Sequence, residues 1–128
     1  MADTNKTILI AEDEHPLRTA VSTKLNKEGY TVLEAQDGEE ALALALDKHP
    51  DLILLDIMMP KLTGIDVIHK LREDDWGKTA QIMLLTNLND QEKVADSMIN
   101  GVYAYLVKSD WRLEDIVEKI KQKIEELN

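Results

Sequence analysis

The sequence predicts an α/β fold, a doubly wound sheet of five parallel strands flanked by five helices. Short apolar runs alternate with segments of helical periodicity along the 128 residues, as is typical of parallel sheets with right-handed crossovers. The third run, LILL at 52–55, is apolar at every position, which indicates a strand covered on both faces. Polar residues follow four of the five runs. We expect the strand order 2-1-3-4-5, which brings these polar residues to one edge.

The strands and the first two helices are visible as local patterns. Pro16 suits the first turn of a helix that Gly29 can close. Asp37 and Glu40 have the spacing of a capping box, and the helix that they open must end before Pro50. The five runs of strand length are TILIA (7–11), TVLEA (31–35), LILL (52–55), QIMLLT (81–86) and AYLV (104–107).

Three further helices are predicted from apolar residues at helical spacing. The third fades near Trp76 and Gly77, and the fourth is capped by Asn89 and ends at Gly101. The apolar positions of the three helices are Ile65, Ile68 and Leu71; Val94, Met98 and Ile99; and Leu113, Ile116, Val117, Ile120, Ile124 and Leu127.

Length and composition narrow the class of protein. A chain of 128 residues is long enough for one domain with its own core. The absence of cysteine and of a signal-peptide pattern predicts a cytoplasmic protein. No apolar stretch approaches the roughly 20 residues that cross a bilayer, so no membrane insertion is expected. The net charge of −10 argues against direct binding to nucleic acid.

The residues that follow the strands indicate a site at the carboxyl edge of the sheet. Glu12 and Asp13 follow the first strand and Asp56 ends the third. Strands one and three are neighbours in the expected order, so the three carboxylates should converge. Thr86 and Lys108, after the fourth and fifth strands, should flank them.

The chemistry of this set favours a metal and a phosphoryl group. Three adjacent carboxylates repel one another and need a positive partner. Hard oxygen ligands without Cys or His suit Mg²⁺. Lys108 adds a second positive charge, and the Thr86 hydroxyl can donate a hydrogen bond to a phosphoryl oxygen. Asp56 would then act as the nucleophile and carry the group as an acyl phosphate.

Each of these residues alone also has an ordinary structural explanation. Acidic residues after strands often lie in loops or cap helices, which applies to Glu12 and Asp13. A threonine or lysine at a strand end is commonly structural or solvated. Met58 and Met59 are typical of side chains that fill gaps in a core, and His49 is expected at a helix C-terminus. The joint placement on four strands is what favours a site.

Four segments, in order, resemble one family. ILIAEDE, LLDIMMPKLTG, LLTN and YLVK are similar to the motifs of the receiver domain of two-component response regulators, with a flavodoxin-like fold as in the chemotaxis regulators. The resemblance covers essentially the full length, so residues 1–128 are expected to form one receiver domain. It implies that Asp56 is the phosphoacceptor, that Asp13 and Asp56 bind Mg²⁺ directly, that Glu12 assists through water and that the Met58 carbonyl is a further ligand.

The resemblance also implies a switch and its partners. Thr86 would bind a phosphoryl oxygen, Lys108 would bridge to the phosphoryl group or to Asp56, and Tyr105 would turn inward as Thr86 moves. The surface of the fourth helix, fifth strand and fifth helix would change. The donor would be a sensor histidine kinase or a histidine phosphotransfer protein, and the output a downstream protein or a missing output domain. Such a domain is no enzyme beyond self-phosphorylation and slow autodephosphorylation.

Three departures from the family pattern carry expectations. Ser109 follows Lys108 where the family commonly has a proline, often after a cis peptide bond. A cis bond before a residue other than proline costs roughly 2.5–4 kcal/mol. Either the site compensates for a cis bond, or the loop is trans and has a different shape. GVYAYL lacks the paired aspartates of receivers that dimerise through the switch surface. Met58 and Leu88 are both apolar where the family often has a polar residue, which predicts a long-lived phosphoryl group.

Three other functions remain as alternatives. An aspartyl-nucleophile phosphatase of the haloacid dehalogenase kind wants an aspartate where this chain has Met58. A flavin or nucleotide binder needs a phosphate loop after the first strand, whereas EDEHP is acidic. A pseudo-receiver that only docks a partner would not need all five site positions filled.

Overall fold

The computed structural model describes residues 6–86, 104–107 and 112–127, with the backbone alone for residues 86 and 104–107. The strands are β1 (Thr7–Ala11), β2 (Thr31–Ala35), β3 (Leu52–Asp56), β4 (Ile82–Thr86) and β5 (Ala104–Val107). The α-helices within the described residues are α1 (His15–Lys27), α2 (Gly38–Lys48), α3 (Gly64–Arg72) and α4 (Leu113–Glu126), and a 3-10 helix spans Gly77–Thr79. The helix α4 is the fifth of the predicted order; the predicted fourth, over 89–101, lies outside the described residues.

All described strands pair in parallel, in the order β2-β1-β3-β4-β5. The predicted α/β class and parallel sheet are therefore confirmed. Four of the five predicted helices are described, so the prediction of five stays untested. The central strand β3 is buried at all five positions, as its uninterrupted apolar run indicated.

Alternate strand residues pack into two separate cores, one on each face of the sheet. Helices α2 and α3 cover one face, and α1 and α4 cover the other. The first core includes Leu9, Ala11, Ile53, Leu55, Val67 and Ile68. The second includes Ile8, Ile10, Leu52, Leu54, Val21, Leu25 and the buried α4 residues Ile116, Val117, Ile120 and Ile124. The predicted apolar stripe of the last helix is thus the face with which α4 packs against the sheet.

Both ends of α2 lie where the sequence predicts them, but the predicted capping box at its start is incomplete. Asp37 caps α2 and accepts from the Glu40 N–H at 2.8 Å, but Glu40 Oε1 accepts from the Gln36 N–H, one residue before the cap. His49 ends α2 in the left-handed conformation, with φ of 48°. Its ring stacks on Trp76 with centroids 4.3 Å apart, so the two aromatic rings join the end of α2 to the loop before β4.

None of the described helices combines the length and apolar character that crossing a membrane requires.

Candidate functional site

Three carboxylates meet at the carboxyl edge of the sheet. Within the described residues, one oxygen from each of Glu12, Asp13 and Asp56 lies within 4.8 Å of the other two. Glu12 and Asp56 are buried, with 0% and 2% of their surface exposed, whereas Asp13 is exposed. The parallel strands β1 and β3 are neighbours, which brings together the acids that the sequence places at their ends.

Asp56 is held rigidly by the centre of the sheet. It is the last residue of β3 and pairs with Leu85 of β4, while Leu55 pairs with Ala11 of β1. Its Oδ1 accepts from the backbone N–H of Met58 at 3.4 Å. A carboxylate fixed between two neighbouring strands has little freedom to leave the edge, so its position is set before any ligand arrives.

The start of α3 is hydrogen-bonded to the residue that directly follows Asp56. The Gly64 N–H donates to the carbonyl of Ile57 at 2.7 Å. Thr63 and Asp66 form a complete capping box, with each side chain accepting from the other residue's backbone N–H at 3.2 Å. Met58 is 44% exposed and Met59 is buried, so the gap-filling interpretation is wrong for Met58 and right for Met59.

The same loop is anchored to the start of α2. The Gly38 N–H donates to the carbonyl of Pro60 at 3.2 Å. Lys61 has a left-handed φ of 72°, and its Nζ lies 3.6 Å from Asp37 Oδ2. The backbone N–H of Glu40, together with the Lys61 ammonium, lowers the pKa of Asp37 below its usual range. The residues after Asp56 therefore have fixed partners on both α2 and α3.

A buried arginine near the acids was missed by the sequence interpretation. Arg18 of α1 is 9% exposed, and its Nη1 donates to the carbonyl of Glu12 at 2.7 Å. Its Nε donates to Glu34 Oε1 at 3.2 Å. The signal was helical spacing, because Arg18 and Ser22 fall on the same buried face as Val21 and Leu25. Arg18 follows no predicted strand and belongs to none of the four segments that resemble the family, so no motif pointed to it.

The remaining predicted residues are described only in part. Thr86 ends β4 opposite Val107 of β5, next to the strand that carries Asp56, and Tyr105 lies in β5. For these strand ends the structure describes the backbone. Lys108, Leu88 and the Lys108–Ser109 peptide lie outside the described residues. Sheet order thus places the backbone of Thr86 beside the strand that carries Asp56, and the expected flank of Thr86 and Lys108 stays a prediction.

The donor set suits a hard divalent cation. It consists of carboxylate oxygens, and no His or Cys side chain belongs to the cluster in the described part of the chain. Mg²⁺ prefers such oxygens and keeps several waters, so two or three protein ligands suffice. A cation would also relieve the repulsion among three carboxylates at this spacing.

Comparison with known proteins agrees with this architecture. Residues 8–121 match the model of the response regulator receiver domain. The phosphate regulon transcriptional regulatory protein PhoB of Pseudomonas aeruginosa is 36% identical over 103 residues, which are 80% of this chain and 45% of PhoB. The alkaline phosphatase synthesis transcriptional regulatory protein PhoP of Bacillus subtilis is 43% identical over 88 residues, 69% of this chain and 35% of PhoP. The chain spans less than half the length of these two relatives.

Two solved structures share the fold. The chemotaxis response regulator CheY4 of Vibrio cholerae is 30% identical with a TM-score of 0.83, and the match covers 92% of this chain and 98% of CheY4. The response regulator TrrA of Thermotoga maritima, solved in complex with Mg²⁺ and BeF, is 30% identical with a TM-score of 0.77 and coverage of 96% and 99%. With the family model matching most of its residues, the chain belongs to the receiver domains of two-component response regulators.

Proposed function

We propose that Asp56 accepts a phosphoryl group from a phosphohistidine on a sensor histidine kinase or a histidine phosphotransfer protein. Phosphoryl acceptance is general in this family, and the observation that carries the assignment to Asp56 is its placement. It is 2% exposed at the end of the central strand, with the oxygens of Glu12 and Asp13 within 4.8 Å. A nucleophile in this position is fixed by the strand and lies beside two further carboxylates that could bind a cation with it.

In the transfer, an oxygen of Asp56 forms a bond to phosphorus as the phosphorus–nitrogen bond to the donor histidine breaks. The electron pair of that bond stays on the imidazole nitrogen, which can take up a proton. The residues that would hold Mg²⁺ are Asp13 and Asp56 directly, Glu12 through water and Met58 through its carbonyl. A bound Mg²⁺ supplies positive charge that offsets the carboxylates and the phosphoryl oxygens.

The switch rests on residues of β4 and β5 and on the residue that follows β5. Thr86 donates its hydroxyl to a phosphoryl oxygen, and Lys108 bridges to the phosphoryl group or to Asp56. Tyr105 follows the movement of Thr86. The surface that changes consists of the predicted helix over 89–101, β5 and α4, and phosphorylation shifts the population between two arrangements of it.

Loss of the phosphoryl group is slow in this proposal. The same site hydrolyses its own acyl phosphate, and the two positions that screen the attacking water, Met58 and Leu88, are apolar. The domain is thereby a signalling element and not a turnover enzyme. Decay of the phosphorylated protein within seconds in Mg²⁺ buffer would contradict this part of the proposal.

Residues 1–128 form one receiver domain that works in the cytoplasm, and its output is a downstream protein or an output domain. PhoB and PhoP are named as transcriptional regulatory proteins and are more than twice as long as the segments matched here. An acidic domain with a net charge of −10 suits such an arrangement, in which nucleic acid is bound elsewhere. A docking-only pseudo-receiver is disfavoured by the intact acidic cluster.

The proposal is tested by incubating the protein with acetyl phosphate and Mg²⁺ and measuring the intact mass. Wild type should gain one phosphoryl group, and Asp56→Asn should gain none. Asp47→Asn is the matched control, since it removes a carboxylate whose side chain is 71% exposed and should leave the gain unchanged. No gain in wild type, or an equal gain in Asp56→Asn, would refute the assignment.

A further inference from the structure

Arg18 lies at the centre of a hydrogen-bonded group that joins α1, β2 and the end of β1. Its guanidinium donates to the carbonyl of Glu12 at 2.7 Å and to Glu34 Oε1 at 3.2 Å. The second oxygen of Glu34 accepts from Ser22 Oγ at 3.2 Å. The Arg18 side chain is 10% exposed and that of Glu34 43%, so the buried member of the pair is the arginine. A buried guanidinium is costly unless its donors are satisfied, as they are here by a carbonyl and a carboxylate.

The carbonyl that Arg18 binds belongs to the peptide between Glu12 and Asp13. The Glu12 N–H is held as well, because it donates to the carbonyl of Ala35 at 3.0 Å. In a planar trans peptide, the carbonyl and the following N–H point in opposite directions. A fixed Glu12 carbonyl therefore fixes the peptide plane from which Asp13 projects.

Asp13 depends on this restraint more than its two neighbours do. Glu12 and Asp56 are enclosed by protein, whereas Asp13 is exposed. Since surrounding side chains do not confine an exposed carboxylate, its place in the cluster is set mainly by its backbone. The charge of Arg18 is already paired with Glu34, so the arginine can hold the backbone while the cluster keeps its negative charge for a cation.

We propose that Arg18 is a positioning residue for the divalent cation. Paired with Glu34, it holds the Glu12–Asp13 peptide so that the Asp13 carboxylate stays within reach of Glu12 and Asp56. This role rests on the proposed function, in which the three acids take Mg²⁺. In this role Arg18 affects the affinity for the cation, although its guanidinium contacts none of the atoms that would bind the metal.

The test is a Mg²⁺ titration of Arg18→Met, followed by the backbone amide signals of residues 12, 13, 56 and 58 in ¹⁵N-labelled protein. We expect the Kd for Mg²⁺ to rise about 10-fold, the lower end of what removal of a residue that orients a metal ligand typically costs. The matched control is Arg72→Met. Arg72 donates to the carbonyls of Gly77 and Ala80 at 2.6 and 2.9 Å, before β4 and at the opposite edge of the sheet. The same charge and the same kind of bond are lost there, and the Kd should stay at the wild-type value.

Glu34→Gln provides a milder variant in case Arg18→Met does not fold. It keeps the shape of the side chain and loosens the guanidinium, so its Kd should also rise, by less than that of Arg18→Met. Equal Kd values for wild type and for whichever of the two variants folds would overturn the inference, even with a lowered Tm, because a purely structural arginine would lower only the Tm. If wild type itself shows no Mg²⁺-dependent shift at residues 13 and 56, the proposed function fails instead.

Discussion

Gly64 lies directly against the backbone of Asp56. A Cβ atom at position 64 would stand 2.9 Å from the Cα of Ile57 and closer still to the carbonyl oxygen of Asp56. The first turn of α3 can approach the end of β3 because this position carries no side chain. The placement of the phosphoacceptor candidate thus depends on a glycine eight positions further along the chain.

Gly64→Ala should therefore disturb both stability and the site. We expect a loss of about 1–3 kcal/mol in the free energy of unfolding, the usual cost of overpacking, and slower phosphorylation by acetyl phosphate. Gly77→Ala is the control, since its Cβ would stand 3.1 Å from the Cα of Leu71 and closer to the Leu71 carbonyl oxygen, at the far end of α3. It should lose stability and keep the rate. Equal rates in the two variants would show that the glycine serves packing alone.

Removing one acid should stabilise the protein when Mg²⁺ is absent. Asp13→Asn abolishes repulsion with Glu12 and Asp56, whose oxygens lie within 4.8 Å. Because Asp13 is exposed, we expect a gain of about 1 kcal/mol, as for unit charges 4 Å apart in water. Added Mg²⁺ should stabilise wild type much more than the variant. Urea unfolding with and without Mg²⁺ measures both effects, and Asp47→Asn should show neither. A variant less stable than wild type without Mg²⁺ would contradict the repulsion argument.

The cap of α2 should make stability depend on acid pH. The Glu40 N–H and Lys61 lower the pKa of Asp37 in the folded state from the ordinary 3.8. The ionised carboxylate thus stabilises the fold fully above 3.8, and this contribution is lost as the pH falls through the lowered value. Asp37→Asn keeps an acceptor for the helix but has no charge. The difference in unfolding free energy between wild type and this variant should shrink steadily as the pH is lowered below 3.8. A constant difference would rule out the charge as its source.

Apolar packing, and not the ion pair beside it, should hold α4 to the domain. Ile120 is fully buried, and Ile120→Ala should cost about 2–5 kcal/mol. Lys121 Nζ lies 3.3 Å from Glu28 Oε1, with side chains 25% and 48% exposed. A double-mutant cycle of Lys121→Met and Glu28→Gln should give a coupling of about 0.2–1 kcal/mol, as for other exposed pairs. A coupling as large as the Ile120→Ala effect would reverse this ranking.

Periodicity predicted much of the fold because the sheet is buried. The bounds of β1, β2 and β5 agree with the predicted runs. The third strand extends one residue further, to Asp56, because backbone pairing with β4 continues through a charged residue that ends the apolar pattern. The three acids were found in the same way, since parallel strands deliver their ends to one edge.

The side-chain partners could not be predicted in this way. No motif of the sequence points to Arg18, and its acceptors are Glu34 in β2 and Glu12 directly after β1. Only the folded chain brings these two acceptors to the buried face of α1. His49 was expected at a helix end, and the structure places it there, but its stacking on Trp76 depends on two loops that only the folded chain brings together.

The anchoring of the loop after β3 to α2 restricts how this domain can be re-engineered. A Cβ at Gly38 would stand 2.5 Å from Leu62 Cβ, and the Gly38 N–H already holds Pro60. A reporter inserted at 36–38, or new termini opened there by circular permutation, would break the contacts of Gly38 with Pro60 and Leu62. The segment that carries Met58 would then lose its anchor on α2. A biosensor built on this domain should therefore leave the β2–α2 turn intact, although no residue of that turn belongs to the acidic cluster.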